Sequence, residues 1–196
     1  MSVRQSLLAI LDQGPCYGYQ LRSEFDRRTG STWPVNVGQI YNTLERLERD
    51  GLVERGSTDS QGHVYWQITD AGTAEVVRWF STAVPRGSGT RDELAMKVAV
   101  AATLPGVDAL DLLRAQREES TRRLLALQSA GRRGDEDPEA LARSLVNDSM
   151  RFAVQAELQW LDHVEHALSS EPRQTMDLHL ATERPKRGRP ALATGK

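Results

Sequence analysis

The sequence predicts a mainly α-helical protein in which one small two-stranded hairpin interrupts the helices. Three observations predict this class. Apolar residues recur at helical spacing in three short segments before residue 51. Short, turn-bounded strand patterns occur only between residues 52 and 68. Beyond residue 90 only helical periodicity is found, so a second, all-helical region is expected there.

The first two predicted helices are short and end at glycines. The first begins at Ser2, with Gln5 completing a capping-box pattern, and it ends before Gly14 and Pro15. The second runs from about residue 18 to residue 29. Gly30 then suits the left-handed backbone that often follows a helix.

The third predicted helix has the clearest boundaries and the clearest two-sided pattern. Asn36 and Gln39 form a capping box at its start, and Gly51 follows its end. One face is an apolar stripe, consisting of Ile40, Leu44 and Leu47. The other face is polar and carries Gln39, Asn42, Thr43 and Arg46. We therefore expect a helix over residues 36–50 with one anchored face and one face offered outward.

A hairpin follows this helix. Residues 52–55 and 64–68 are predicted as strands around a polar tip at 56–63, and Asp70 is expected to cap a helix that Pro85 ends. Three helices followed by such a hairpin form a winged helix-turn-helix domain, which we place at residues 1–85. The Arg-Gly-Ser-Gly segment after Pro85 marks a linker at 86–90.

The second region is predicted to contain three helices within residues 91–170. Thr90 and Glu93 form a capping box for the first, which reaches Leu104. The second spans about 107–130, and the third begins at Pro138 behind the cap Asp137. From residue 171 to residue 196 the helical periodicity of the apolar residues is lost, and we expect this segment to be a disordered basic tail.

Composition limits the classes of function. Of 196 residues, 39% are hydrophobic and 27% charged, which predicts a soluble, cytoplasmic protein with a modest core. No apolar run approaches the ~20 residues of a membrane span, and no secretory signal pattern is present. Cys16 is the only cysteine, so an intrachain disulfide is excluded and a cysteine-based zinc site is not expected. We also expect no other metal and no cofactor. No nucleophile motif or phosphate-binding glycine loop appears, so we expect no enzymatic activity.

The polar face of the third helix has the chemistry of a reader of DNA bases. The major groove admits a helix, amide side chains pair with adenine, and arginine pairs with guanine or a phosphate. A threonine methyl can contact thymine. The alternative is an ordinary solvated surface, which Glu45 and Glu48 favour because both would repel phosphates.

Two segments resemble the PadR family of bacterial transcriptional regulators. They are Tyr17-Gly18-Tyr19-Gln20-Leu21 and the stretch from Val37 to Val53, VGQIYNTLERLERDGLV. The hairpin end YWQITDAG, residues 65–72, resembles that family's wing and its junction with the next helix. The resemblance covers about residues 3–84, and the C-terminal region resembles the longer PadR subfamily in layout. The sequence departs from the family pattern at Asn42, where many members carry proline.

The resemblance implies a homodimeric repressor that binds an operator of paired half-sites and releases it on sensing a small molecule. The residues that it places against DNA are Gln39, Tyr41, Asn42, Thr43 and Arg46 on the third helix and Gln61, Gly62 and His63 at the hairpin tip. Asn36 is a further candidate DNA-binding residue, because it begins the helix whose first backbone amides suit a phosphate. Two alternatives stay open: Tyr41 packs its ring against the second helix, and His63 is a loop residue without a DNA contact. A rival function for the whole protein is a winged-helix adaptor that binds proteins without specific DNA binding.

The last helix is the predicted dimer interface. Its apolar candidates are Phe152, Ala156, Trp160, Leu161 and Val164. Packing against residues 110–127 of the same chain is the alternative, and both are expected. Trp160 is the candidate effector-binding residue, whereas Trp66 and Trp79 are assigned to the core. His163 and His166 lie three residues apart, but no further metal ligand is marked near them.

The net charge of −2 conceals an uneven distribution. It is −1 over residues 1–90, −6 over 91–183 and +5 over 184–196. Within the basic end, Pro185-Lys186-Arg187-Gly188-Arg189-Pro190 resembles an AT-hook core, in which Arg187, Gly188, Arg189 and Pro190 would enter a minor groove. The alternative is a charged tail that raises DNA affinity without reading sequence.

Overall fold

The computed structural model describes residues 2–85, 93–130, 138–170 and 175–178. These ranges contain seven helices and one antiparallel two-stranded sheet. The elements are α1 (Ser2–Leu11), α2 (Gly18–Arg28), α3 (Val37–Arg49), β1 (Val53–Thr58), β2 (Val64–Ile68), α4 (Asp70–Ser81), α5 (Glu93–Thr103), α6 (Ala109–Ala130) and α7 (Pro138–Ser170). None of the helices in the described part of the chain has the length and apolar character needed to cross a membrane.

The predicted boundaries of α3 are confirmed. The Asn36 side-chain oxygen accepts a hydrogen bond from the Gln39 amide at 2.8 Å, and the Gln39 side-chain oxygen accepts one from the Asn36 amide at 3.1 Å. This capping box satisfies two backbone donors that the helix cannot satisfy itself. Ile40, Leu44 and Leu47 are fully buried, so the apolar stripe anchors the helix in the core.

The hairpin is longer than predicted. β1 extends to Thr58, and its register with β2 pairs Val53 with Ile68 before shifting between Arg55 and Thr58. Cys16 joins the sheet through two backbone hydrogen bonds with Trp66, of 3.2 and 2.9 Å. The turn between α1 and α2 is thereby fixed to the base of the hairpin.

The prediction that Asp70 caps the next helix is wrong by one residue. The Thr69 hydroxyl accepts a hydrogen bond from the Gly72 amide at 3.1 Å, and Asp70 is the first residue of α4. Threonine and aspartate are both good caps, so their adjacency made the sequence ambiguous. The helix ends at Ser81, before Pro85.

Helix α5 takes part in two hydrophobic cores. Met96 and Val100 pack into the first core, formed mainly by α1–α4, where Trp66 and Trp79 are buried as predicted. Val98 packs into the second core, formed with α6 and α7. Helix α5 therefore connects the N-terminal domain to the C-terminal helices. The predicted linker at 86–90 lies outside the described residues.

Helices α6 and α7 pack side by side in opposite directions. Gln116 donates from its amide to the Glu157 carboxylate at 3.0 Å, and farther along, the Asn147 amide donates to the Leu127 carbonyl at 3.1 Å. Helix α6 begins at Ala109, where the Asp108 carboxylate accepts from the Leu110 amide at 2.9 Å. The predicted caps Thr90 and Asp137 lie outside the described residues.

Residues 175–178, here called the C-terminal strap, correct part of the prediction of a disordered tail. The Met176 amide donates to the Thr103 carbonyl at 2.9 Å, and Leu178 packs against the first core. The strap is therefore bound to the end of α5 and to the core formed mainly by α1–α4. The remainder of the predicted tail, residues 171–174 and 179–196 with the AT-hook-like segment, lies outside the described residues.

Candidate nucleic-acid interface

The outward face of α3 is polar and open. Asn42 and Arg46 are exposed, and within the described residues neither side chain has a hydrogen-bond or ion-pair partner. Both lie opposite the buried apolar stripe, which fixes their backbone. An unpaired amide and an unpaired guanidinium are therefore held side by side on a rigid helix, available to a ligand.

Two of the residues predicted to contact bases, Gln39 and Thr43, already use part of their hydrogen-bonding capacity within the protein. The carbonyl oxygen of the Gln39 side chain belongs to the capping box, which leaves its NH₂ group as a donor. The Thr43 hydroxyl donates to the Gln39 backbone carbonyl at 2.7 Å, which leaves mainly its methyl group for a partner. Two-point pairing with adenine needs both ends of an amide. Asn42 meets that requirement, whereas Gln39 meets it only by breaking the cap.

Tyr41 packs against α2 while remaining partly exposed. Its side chain is on the surface, and the residue is 40% exposed. Its ring lies so close to Gly18 that a Cβ there would be 2.7 Å from the Tyr41 Cζ. The alternative packing against the second helix is thus present, and it explains the glycine in the Tyr-Gly-Tyr motif.

The hairpin tip is held by Asp59. Its carboxylate accepts hydrogen bonds from the Gln61 amide, the His63 amide and the His63 ring Nδ1, each at 2.9 Å. The bonds from the His63 backbone and ring lower the pKa of the Asp59 carboxyl. The His63 ring also stacks on Tyr17, with 4.4 Å between ring centroids. His63 therefore fixes the tip, a structural role that sequence analysis did not give it, while Gln61 and Gly62 are exposed.

Asp59 and Tyr17 are site residues that sequence reasoning missed. An aspartate that begins a glycine-containing turn is a local signal, since its side chain commonly bonds the amides that follow. No local signal pairs Tyr17 with His63, because 46 positions separate them and only the folded hairpin brings them together.

The acidic residues beside the face are not equivalent. Glu48 forms an ion pair with Arg55, with 3.1 Å between Oε1 and Nε, so its charge is offset. Glu45 is exposed. The objection that Glu48 would repel phosphates is thereby weakened, and Arg46 remains as a cation on the outward face.

Helix α7 presents an apolar face to solvent. We define the outer α7 face as Leu145, Phe152 and Ala156. Phe152 is 71% and Leu145 62% exposed, and Ala156 is also exposed. At 100° per residue these positions lie within about 40° of one another. Two of the predicted interface residues therefore point outward on one stripe.

The prediction that Leu161 lies at the dimer interface is wrong for this helix. Leu161 is fully buried in the second core with α5 and α6. Nine residues separate it from Phe152, which is two and a half helical turns, so the two side chains point in opposite directions. Trp160 and Val164 are half-buried against the same core.

A small cavity lies at the turn between α5 and α6. Its volume is about 200 Å³, and its walls include Leu104, Val107, Leu168 and Thr175 of the strap. Trp160, the candidate effector residue, does not line it. The cavity therefore joins the end of α7 and the strap to the α5–α6 turn.

Reactive and metal-binding groups are not assembled in the described ranges. Burial raises the pKa of the Cys16 thiol to about 12, so the thiol is protonated at neutral pH and is a poor nucleophile. Among the described residues, no three or more His, Cys, Asp or Glu side chains are grouped to hold a metal ion, and His163 and His166 gain no further ligand.

Comparison with known families matches both regions of the chain. Residues 7–78 match the transcriptional regulator PadR-like family, and residues 90–169 match the C-terminal domain of the virulence activator alpha family. Together the two matches extend over most of the chain.

Individual relatives match over much of their length. A probable transcriptional regulator of Mycobacterium tuberculosis is 29% identical over 86% of this chain and 98% of its own. The negative transcriptional regulator PadR of Bacillus subtilis is 25% identical over 65% of this chain and 72% of its own. Among solved structures, B. subtilis PadR in complex with operator DNA is 22% identical, covers 86% of this chain and 99% of its own, and has a TM-score of 0.42.

Proposed function

Because the chain belongs to the PadR-like family of transcriptional regulators, we propose that it is a homodimeric DNA-binding repressor that a small molecule releases from its operator. The observation that carries the proposal is the two-sided α3. Its apolar side is fully buried, and its outward side holds the unpaired side chains of Asn42 and Arg46. A helix of this kind fits the major groove, where amide and guanidinium groups discriminate bases.

Each outward residue takes a specific role in the proposed complex. Asn42 pairs with adenine through both ends of its amide, and Arg46 binds guanine or a phosphate. Gln39 contributes its free NH₂ group, Thr43 its methyl group, and Tyr41 its exposed ring edge. The start of α3 at Asn36 directs backbone amides and the positive end of the helix dipole at a phosphate.

The wing contacts the flanking backbone in this proposal. Gln61 and Gly62 are exposed at a tip that Asp59 and His63 hold in one shape. The φ angle of 82° at Gly62 is one that glycine adopts without strain. His63 acts by positioning these two residues, since its ring is occupied by Tyr17 and Asp59.

Dimerisation through the outer α7 face places two such helices on one duplex. Exposed Phe152 and Leu145 cost free energy in water, at about 25 cal/mol per Å² of apolar surface, which a second copy would recover. Two-fold symmetric pairs bind half-sites about one helical turn, or a multiple of it, apart. Val146 and Met150 are also exposed, but at 100° per residue they lie at least 80° away from the outer α7 face, on a separate stripe of the helix.

Repression and effector release rest on the relatives and on the cavity. The B. subtilis relative carries the name of a negative regulator. The cavity at the α5–α6 turn is smaller than typical ligand pockets of about 300 Å³ or more, so it suits a small effector. No residue is assigned a catalytic role, and both curated relatives are transcriptional regulators.

Selection of bound duplexes from random oligonucleotides tests the DNA-binding function. We expect enrichment of a paired, inverted sequence, and we expect Arg46→Ala to abolish or change the enrichment. Arg114→Ala is the matched control, because Arg114 is an exposed arginine on α6, away from the proposed interface. A protein-binding adaptor would enrich no sequence and would show no salt-dependent affinity for DNA.

A further inference from the structure

The outward side of α3 carries a carboxylate as well as an amide and a guanidinium. Glu45 is exposed, and in the part of the chain that the structure describes its carboxylate has no hydrogen-bond or ion-pair partner. Glu48, three residues later, is instead paired with Arg55 of the hairpin. Of these two glutamates, Glu45 is therefore the one whose charge is left for a partner outside the protein.

Helical geometry places Glu45 as far outward as Arg46. The buried side chains of Ile40, Leu44 and Leu47 define the inward direction of α3. At 100° per residue, Glu45 and Arg46 each lie about 50° from the opposite, outward direction, one on either side of it. A docking that brings Arg46 to the edges of the bases therefore brings Glu45 to them as well.

The middle of the outward side is low. Gly38 and Asn42 lie within about 30° of the outward direction, and Gly38 is exposed and has no side chain. A Cβ added there would be 3.3 Å from the Asn36 Oδ1 that caps the helix. Because no side chain projects from the first turn at this point, the helix can approach the bases closely enough for Asn42 and Glu45 to reach them.

An unpaired carboxylate has one good partner among the base edges of the major groove. The N4 amino group of cytosine is a donor, whereas guanine N7 and O6 and thymine O4 are acceptors that repel a carboxylate. Adenine places an acceptor beside its amino group, which suits an amide rather than a carboxylate. A buried carboxylate without a donor is unfavourable, so Glu45 favours binding only where cytosine meets it.

Cations flank the carboxylate and offset its repulsion by phosphates. Arg46 follows it directly, and Arg49 lies one turn farther along α3. The Arg49 side chain is 75% exposed, and its Nε lies 3.9 Å from the Asp50 carboxylate. Both guanidiniums can bind phosphates beside the groove while Glu45 faces the bases.

We propose that Glu45 is a specificity-determining residue whose carboxylate accepts a hydrogen bond from the N4 amino group of one cytosine in each half-site. The inference rests on the proposed function, because it adds selectivity at one base pair to the DNA contact made by α3. Glu45 acts by attraction to cytosine and by repulsion of guanine or thymine at the same position.

The position of that cytosine follows from the spacing along the helix. Glu45 lies three residues after Asn42, which is about 4.5 Å at 1.5 Å per residue. Successive base pairs are about 3.4 Å apart. The cytosine is therefore expected within two base pairs of the adenine that Asn42 contacts.

Selection of bound duplexes with the full chain tests the assignment. The unaltered protein should enrich a cytosine at this position of each half-site, and Glu45→Ala should lose that preference while keeping the others. Glu45→Gln should move the preference towards adenine, because a glutamine amide pairs with adenine. Glu118→Ala removes an exposed glutamate from α6 and should leave the selected sequence unchanged.

Affinities for single operators make the test quantitative. Replacing the enriched cytosine should lower the affinity of the unaltered protein on the order of 10-fold, whereas Glu45→Ala should bind both operators about equally. The variant should keep its fold, because Glu45 is exposed and alanine is a good helix former. A gain in affinity that is equal for every duplex would mean that the carboxylate only repels phosphates, and would overturn the inference.

Failure of this inference is distinguishable from failure of the proposed function. If the unaltered chain enriches no duplex, the DNA-binding function itself is wrong. If it enriches a paired sequence that Glu45→Ala leaves unchanged, the DNA-binding function stands and only the assignment of Glu45 is wrong.

Discussion

Helices α3 and α7 have similar inward faces and opposite outward faces. Each buries leucine residues, Leu44 in one and Leu161 in the other. Outward, α3 presents the amide of Asn42, whereas α7 presents the ring of Phe152. A polar face is stable in water, so it can stay exposed until DNA replaces that water. An exposed apolar face is unfavourable in water, so its burial against a second copy is favourable. The chemistry of the outward face thus indicates the class of partner.

Substitution of Phe152 should give the largest effect. Phe152→Asp places a charge at the centre of the outer α7 face, and we expect sedimentation to show the mass of a single protomer. Operator affinity should fall on the order of 100-fold or more, because a tethered second contact raises avidity by 10²–10⁴. The fold should survive, since the side chain is exposed.

Val77→Asp is the matched control for that experiment. Val77 is also an exposed apolar residue, 64% accessible, but it lies on α4. It should leave both the mass and the operator affinity unchanged. If Phe152→Asp sediments as the unaltered protein does, the outer α7 face is merely solvated and the contrast with α3 disappears.

Substitution of the two amides of α3 should give the next largest effect. Asn42→Ala should cost about 1–3 kcal/mol of discrimination at one base pair of each half-site, because its amide is unengaged. Gln39→Ala should cost less discrimination and should lower the thermal stability, because its oxygen belongs to the capping box. Binding to operators substituted at single base pairs measures both. A uniform loss across all sequences would instead assign Asn42 to the DNA backbone.

The sequence predicts α3 well because its signals are local. Asn36, Gln39 and the apolar stripe lie within one helix, so capping and periodicity determine both its ends and its inward side. Leu161 was misassigned because periodicity gives the angle between side chains but not which neighbour each one meets. Which side chains of α7 are buried depends on the face against which α6 packs, and tertiary packing determines that face.

Contacts between distant residues were beyond sequence reasoning. The strap residue Met176 bonds Arg28 across 148 positions, and nothing in the composition of residues 171–183 marks it. The stacking of Tyr17 on His63 likewise depends on the hairpin's path. The two faces of α5, one for each core, are another example, since an evenly apolar helix gives no clear boundary between domains.

The smallest predicted effect concerns the contact between α5 and the end of α4, here called the seam, which holds the two regions together. Lys97 of α5 is buried there, its ammonium donating to the Thr82 carbonyl and lying 5.6 Å from the centre of the Trp79 ring. Burial lowers the pKa of Lys97 to about 8, and the charge of Glu93 opposes part of that shift. Between pH 8 and the usual lysine pKa, the unfolded chain therefore holds a proton that the folded chain has lost. Stability should rise with pH in this interval.

Lys97→Met removes this titration, and comparison of the two proteins isolates it from all other ionising groups. Urea unfolding measures the free energy of unfolding of both proteins. The value for the unaltered protein, relative to that of the variant, should rise by about 1 kcal/mol per pH unit between pH 8 and 9.5. A difference that is constant with pH would mean that the ammonium is solvated and that the seam is open. The outward faces of α3 and α7 would then not be held in one fixed relation, and the operator spacing would be set by DNA as much as by the protein.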